Sequence, residues 1–317
     1  MTFLDVGQGD ATLLQAPDVA VLIDAGRHDR SDVTGHLADL GVDALDLVVI
    51  THPHADHLGQ FDTVVDAVDV AEVWWSGAEH TTQTFDRALD ALEASDAAYE
   101  EPRAGDTTSV GPLDIHIVNP PHDANFNDLH DSGLGLRVSF GDVGVLFTGD
   151  IEASTEQRML ASDADWLVAD IYQVGHHGSS TSTTQGFLEA VDPAVAVYSA
   201  GADNQYGHPH GEVVDRLEGY GVEVYGTDAH GTVTVTSDGQ DWHVATERDG
   251  DIQPGQPDAE PEPEEEETEA APAPGNGDSC EQGGVDIDSA GVEDSGWQTS
   301  EMRLPPHTRH QSHFLKA

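Results

Sequence analysis

An apolar run that ends in a cluster of histidines and carboxylates recurs along this chain, and that recurrence restricts its fold more than any other feature. Leu45-Asp46-Leu47-Val48-Val49-Ile50 runs into Thr51-His52-Pro53-His54-Ala55-Asp56-His57. Val143-Gly144-Val145-Leu146-Phe147 runs through Thr148-Gly149 into Asp150, and Ile171-Tyr172-Gln173-Val174-Gly175 into His176-His177-Gly178-Ser179. A fourth cluster, Asn204-Gln205-Tyr206-Gly207-His208-Pro209-His210, precedes a helix beginning near Gly211. A β-branched run followed by a dense polar cluster reads as a buried strand delivering its C-terminal loop into a site. One junction of this kind is compatible with chance; four in one chain point to a site assembled at strand ends.

The residue types specify the chemistry. Neutral imidazole and carboxylate are ligands for zinc, manganese or iron. His52 and His54 can chelate one ion, while Asp56 and His57, a turn further on, can reach a second. Asp150 ends a second apolar strand and is placed to bridge two ions, one oxygen to each, with Gly149 allowing close backbone approach. The sole cysteine, Cys280, lies far downstream, so no cysteine metal site and no intramolecular disulfide is expected.

Strand and helix patterns alternate in two halves over residues 1–247. The first half predicts strands at 1–6, 11–15, 19–23, 45–50 and 70–75, with helices at 31–40, 61–68 and 81–94. The second predicts strands at 113–118, 134–140, 143–148, 166–174, 194–199, 222–225, 231–236 and 242–246, with helices at 151–161, 184–191 and 211–219. Strands followed by strand–helix alternation, twice over, imply an α/β class with two mixed sheets packed together and helices outside.

Eleven lysines and arginines face 61 acids, and the only lysine is Lys316. Residues 1–250 alone carry 45 acids against 8 bases. A folded body this acidic repels itself in dilute buffer, but in molar salt the Debye length falls to about 3 Å. The composition therefore points to a halophile with a high-salt interior. It argues against a standing basic groove for nucleic acid, so a phosphate substrate would be held by metals and local dipoles. No apolar stretch approaches the roughly 18 residues needed to span a bilayer. The chain opens directly in a strand-like run, Thr2-Phe3-Leu4-Asp5-Val6, with no signal peptide. That start is compatible with a cytoplasmic protein, or with an extracellular or membrane-associated one that has lost a short leader.

From 248 to 279 the chain reads as an acidic, Pro/Glu-rich disordered linker that includes Glu264-Glu265-Glu266-Glu267. Residues 280–317 read as a disordered tail. Within it, Gly284-Val285-Asp286-Ile287-Asp288-Ser289-Ala290-Gly291-Val292-Glu293 resembles the opening of a helix-hairpin-helix DNA-binding module of the ComEA type. The hairpin that should follow is missing, and the compositionally foreign segment 297–317 suggests a remnant produced by frameshift or truncation.

Taken together, the motifs resemble those of the metallo-β-lactamase superfamily, and more narrowly the hydrolase domain of ComEC-type DNA-uptake proteins. The matching stretches are Phe3-Leu4-Asp5-Val6-Gly7-Gln8-Gly9-Asp10-Ala11, Leu22-Ile23-Asp24-Ala25-Gly26 and Thr51-His52-Pro53-His54-Ala55-Asp56-His57-Leu58-Gly59. Phe147-Thr148-Gly149-Asp150, Val174-Gly175-His176-His177-Gly178-Ser179 and Tyr206-Gly207-His208-Pro209-His210 follow in family order. The resemblance implies an αββα sandwich with a dinuclear site at strand C-termini. It would place His52, His54 and His176 on the first metal and Asp56, His57 and His208 on the second, with Asp150 bridging. His176 is favoured over His177, but either can be the ligand. Where superfamily members carry a further His, and the ComEC-like branch usually an Asn, this chain has His130-Asp131-Ser132-Gly133. That leaves His130 open as ligand, substrate contact or loop residue. Asp24 would orient the metal loop from behind, or simply turn the chain before Gly26; Gln8 and Asp10 read as loop architecture first and substrate contacts second.

The expected activity is metal-dependent hydrolysis of a phosphodiester, with DNA or a related nucleic acid as first substrate class. Two divalent ions are expected, zinc first and manganese as the alternative. Asp56 is the candidate for handling the water proton, with His177, Tyr206 or Asn204 near the leaving oxygen. Hydrolysis of a small phosphodiester, ester, thioester or lactam is the alternative, and a non-catalytic metal-binding accessory of DNA uptake, next to a membrane-embedded channel, a third reading. Oligomeric state is not encoded in any visible pattern.

Overall fold

Leu47–Ile50 is buried at all four positions because both of its faces are covered. Leu47 and Val49 point into the cluster between two sheets, while Val48 and Ile50 point into a second cluster beneath outer helices. A strand with period-two side chains needs an unbroken apolar run to satisfy both layers. Each such side chain contributes about 1.5–3 kcal/mol by leaving water. The computed structural model describes residues 1–124 and 128–255 of the 317.

The eight-stranded sheet runs Trp242–Thr246, Val233–Ser237, Thr2–Phe3, Thr12–Ala16, Val19–Ile23, Leu47–Ile50, Glu72–Trp75, Ala98–Glu100. Its last four strands are parallel and the others antiparallel. The seven-stranded sheet runs Glu223–Gly226, Val195–Tyr198, Ile171–Gln173, Val143–Phe147, Gly135–Phe140, Leu113–Asn119, Thr107–Val110. There the first four are parallel. Phe3, Val21, Ile23, Val49 and Trp74 of one sheet share a core with Ile115, Ile117, Leu136, Val138, Phe147 and Val197 of the other. Val33–Asp39, Phe61–Ala67 and Gln83–Ala94 cover the outside of the first sheet. Ala153–Ser162, Gln185–Val191 and Gly211–Tyr220 cover the second. This is the αββα sandwich expected from the sequence.

The differences are local. Residues 166–170 are not strand: Ala164–Leu167 forms a helical turn closed by Trp166 N–H donating to Asp163 O at 2.8 Å, and the strand is confined to Ile171–Gln173. Two edge strands, Ala98–Glu100 and Thr107–Val110, carry no apolar run because they are largely exposed. Past residue 247, Arg248 reaches Asp5 at 3.4 Å, and Gly255 bridges to His210 while its N–H donates to Pro209 O at 3.0 Å. The linker from 256 onward, Cys280 and the helix-hairpin-helix-like stretch lie outside the described residues. Among the described residues no helix is long and apolar enough to cross a membrane.

Parallel strands in both sheets point their carboxyl ends to one edge of the sandwich. Asp24 follows Val19–Ile23, the 51–57 loop follows Leu47–Ile50, Asp150 follows Val143–Phe147, and His176 and His177 follow Ile171–Gln173. Fold and site are thus one arrangement.

Candidate metal centre

After Ile50 the chain turns at once, with His57 N–H and Leu58 N–H both donating to His54 O at 3.0 and 3.1 Å. The turn brings His52 Nε2 within 2.9 Å of His54 Nδ1. His130 arrives from the loop before Gly135–Phe140, its ring centroid 4.8 Å from that of His54 and 5.8 Å from that of His52. Asp131 anchors that loop to the start of Ala153–Ser162 by accepting from Ser154 Oγ at 3.0 Å and from Thr155 Oγ1. Asp150 Oδ2 lies 3.6 Å from His52 Nε2. One ligand atom each from His52, His54, His130 and Asp150 falls within 4.8 Å of all the others.

Asp150 also faces a second group. Its Oδ1 is 3.2 Å from His57 Nε2, and its Oδ2 is 3.8 Å from His177 Nε2. Asp56 lies beside the same two nitrogens, with Oδ2 3.0 Å from His177 Nε2 and Oδ1 3.8 Å from His57 Nε2. Asp10, His57, Asp150 and His177 form a second mutually close set of potential ligands.

Hydrogen bonds behind the rings decide which nitrogens face the carboxylates. His57 Nδ1 is 2.8 Å from Asp24 Oδ2, and Asp24 also accepts from Thr51 N–H at 2.7 Å and Thr51 Oγ1 at 2.8 Å. His177 Nδ1 is 3.0 Å from Ser199 O. A ring that donates from Nδ1 presents a lone pair at Nε2, the arrangement a metal ligand requires. Asp24, with φ of 59°, holds a left-handed conformation uncommon for a residue with a Cβ. His57 Nε2 and Asp150 Oδ1 are both buried and make no hydrogen bond among the described residues. They face each other at 3.2 Å without a well-aligned hydrogen bond, which is costly for buried polar atoms; a cation between them would satisfy both, and the all-nitrogen-and-oxygen donor set suits zinc or manganese.

The protonation pattern separates the two groups. Burial, reinforced by the nearby His57, holds His52 well below the usual imidazole range, and burial brings His54 down to about 4. Burial opposes charge on His57 too, yet Asp150, Asp56 and Asp24 together raise it well above its ordinary value. His177 is likewise penalised by burial but raised to about 10 by Asp150, Asp56 and Asp10. Burial opposes ionisation of Asp56 and Asp150, but the neighbouring histidines, His57 foremost, hold both carboxyls below the usual range. Asp10 and Asp24 are raised, chiefly by burial.

His176 lies alongside, its Nε2 3.7 Å from Asp150 Oδ2 and its Nδ1 3.0 Å from Thr181 Oγ1, but it belongs to neither close set. His208 adjoins both histidines, its ring 5.9 Å from His176 and 6.0 Å from His177, with Nδ1 3.2 Å from Gln8 Nε2. Tyr206 stacks on His208 at 5.6 Å. Asn204 braces the loop: it donates to Gly201 O and His208 O at 2.7 and 2.8 Å and accepts from His208 N–H at 2.9 Å. Asp10, expected as loop architecture or a substrate contact, instead lies beside the rings of His57 and His177. One signal was available: Gln173, its hydrogen-bond partner, is a polar residue inside a fully buried strand.

The sequence profile of the metallo-beta-lactamase superfamily matches residues 4–202. The chain belongs to the metallo-beta-lactamase superfamily. Within it, the chain is similar to ComE operon protein 3 of Bacillus subtilis, 30% identical over 251 residues, covering 73% of this chain and 32% of that protein. It is 28% identical to Competence protein ComA of Neisseria gonorrhoeae over 235 residues, covering 74% and 31%. The chain thus spans about a third of the length of these relatives. Among solved structures it is similar to the metallo-beta-lactamase fold protein YhfI of Bacillus subtilis, with a TM-score of 0.47 and 14% identity over 71% of this chain and 95% of that one.

Proposed function

We propose that this superfamily member is a hydrolase that uses two divalent ions to cleave phosphodiesters, with DNA or a related nucleic acid as substrate. The observation that carries the reading is Asp150, whose carboxylate faces both groups of candidate ligands. His52, His54 and His130 would hold one ion, and Asp56, His57 and His177 the other, with Asp150 between them. His176, whose Nε2 is 3.7 Å from Asp150 Oδ2, and His208 beside it stay candidate ligands of the same ions, as the sequence motifs imply. Two such ions, when bound, would lower the pKa of a water and neutralise charge on a phosphoryl group.

The chain's own residues do the rest. Asp24 and Ser199 O fix the two metal-facing imidazoles of His57 and His177. Asp56, held ionised beside both rings, would orient the attacking water by accepting a hydrogen bond from it. Gln8 and Asn204 hold His208, with Tyr206 stacked on it, beside His176 and His177, where these side chains would meet a leaving group. Similarity to a relative named for competence, and to another named for recombination, supports DNA as substrate class. With so acidic a body, the substrate's phosphates would be held by the ions and not by a basic groove.

The test is hydrolysis by the chelator-stripped full chain in molar KCl, reloaded with zinc and separately with manganese. Substrates are bis-para-nitrophenyl phosphate, single-stranded DNA and a chromogenic lactam. Metal-dependent cleavage of the first two, abolished in Asp150→Asn, is the expected result. Turnover of the lactam alone, or bound ions with no turnover of any substrate, would overturn the reading.

A further inference from the structure

Asp10 takes no part in the steps above, yet it is only 2% exposed and sits directly behind the second group. Its N–H donates to Asp56 O at 3.1 Å and its carbonyl accepts from Gly26 N–H at 2.8 Å. A Cβ on the preceding Gly9 would fall 2.6 Å from Asp56 O, so this turn docks backbone to backbone on the 51–57 loop. Asp10 Oδ2 accepts from Gln173 Nε2. The other end of the same amide, Gln173 Oε1, accepts from Thr148 N–H and Gly149 N–H at 3.4 and 3.3 Å. Asp10 Oδ1 is buried and makes no hydrogen bond among the described residues.

The side of the rings on which Asp10 lies is informative. Its Oδ2 is 3.9 Å from His57 Nδ1 and its Oδ1 is 3.8 Å from His177 Nδ1. Asp56 and Asp150 approach the same two rings at Nε2. Asp10 is therefore close enough to be counted among the ligands but stands at the far edge of both imidazoles. A carboxylate in that position polarises Nδ1–H and makes Nε2 a stronger donor to a cation. Asp24 and Ser199 O already take the two Nδ1–H hydrogen bonds, so Asp10 contributes its charge to both rings at once.

We propose that Asp10 is a positioning carboxylate shared by His57 and His177, which strengthens both as ligands of the second ion. Through Gln173 it also ties their setting to the Gly149–Asp150 turn. The proposal rests on the two-ion reading above.

The test is titration of the chelator-stripped full chain with Co2+ in molar KCl, followed by calorimetry and visible absorption. Asp10→Asn keeps the shape and leaves an acceptor for Gln173 while removing the charge. Wild type is expected to take up two ions. The variant should bind the first as wild type does and the second about 10–100-fold more weakly, with the absorption of the second ion altered. Unchanged affinity for the second ion would overturn the proposal. So would equal weakening of both ions, which is what a purely architectural role produces. A wild-type protein that takes only one ion would instead sink the two-ion reading. Thermal melting in chelator checks that the variant folds; if it does not, Gln173→Glu, which keeps an acceptor for Thr148 and Gly149 N–H but withdraws the N–H donated to Asp10, must weaken the second ion selectively.

Discussion

Four carboxylates approach the single imidazole of His57: Asp10 and Asp24 at Nδ1, Asp56 and Asp150 at Nε2. Such a ring, like that of His177, holds a proton when no cation is present, whereas His52 and His54 in the same loop system do not. For a histidine whose folded pKa is raised, the stabilisation is complete below the unfolded value near 6.5 and disappears as pH climbs through the folded value. In chelator, the stability advantage of wild type over His177→Gln should therefore shrink between pH 6.5 and about 10. Urea unfolding across that range measures it; an advantage that grows with pH would contradict the electrostatics. The sequence made the 51–57 cluster legible because its ligands follow one another within a single turn. It could not separate His176 from His177. These two residues carry left-handed backbone angles, with φ of 51° and 55°, and consecutive residues in that conformation aim their rings by geometry that no spacing rule conveys.

Among the elements, the strand-to-site junctions were the most legible part of the chain. Val143–Phe147 and Leu47–Ile50 are buried on both faces, so their apolar runs mark strand and site together. The strands that the sequence concealed, Ala98–Glu100 and Thr107–Val110, are edges that bury too little to leave a pattern. The junction after Val143–Phe147 allows little substitution. Gly149 has φ of 49°, and a Cβ there would meet Thr51 Oγ1 at 2.7 Å, the hydroxyl that donates to Asp24. Gly149→Ala should destabilise the protein by about 1–3 kcal/mol through this backbone strain and contact. Because the push falls on the Thr51–Asp24 pair, metal uptake should weaken as well. Denaturant unfolding and metal titration measure the two effects, and an alanine variant as stable as wild type would refute the steric argument.

For the whole molecule, charge sets the conditions under which this architecture holds together. With 45 acids against 8 bases in residues 1–250, repulsion between surface carboxylates is long-ranged in dilute buffer. The Debye length is about 10 Å at 0.1 M salt and about 3 Å at 1 M. The melting temperature of the full chain should therefore rise with KCl, most steeply below 1 M; calorimetry at graded KCl checks this, and a flat response would show that self-repulsion does not govern stability. That much follows from composition, but the path of the chain beyond the sandwich does not. Gly255 is bonded to Pro209 and Gly211, the neighbours of His208 and His210. The last described residue is thus fastened to the loop that carries His208 and His210, so strain at this end of the sandwich is passed first to that loop.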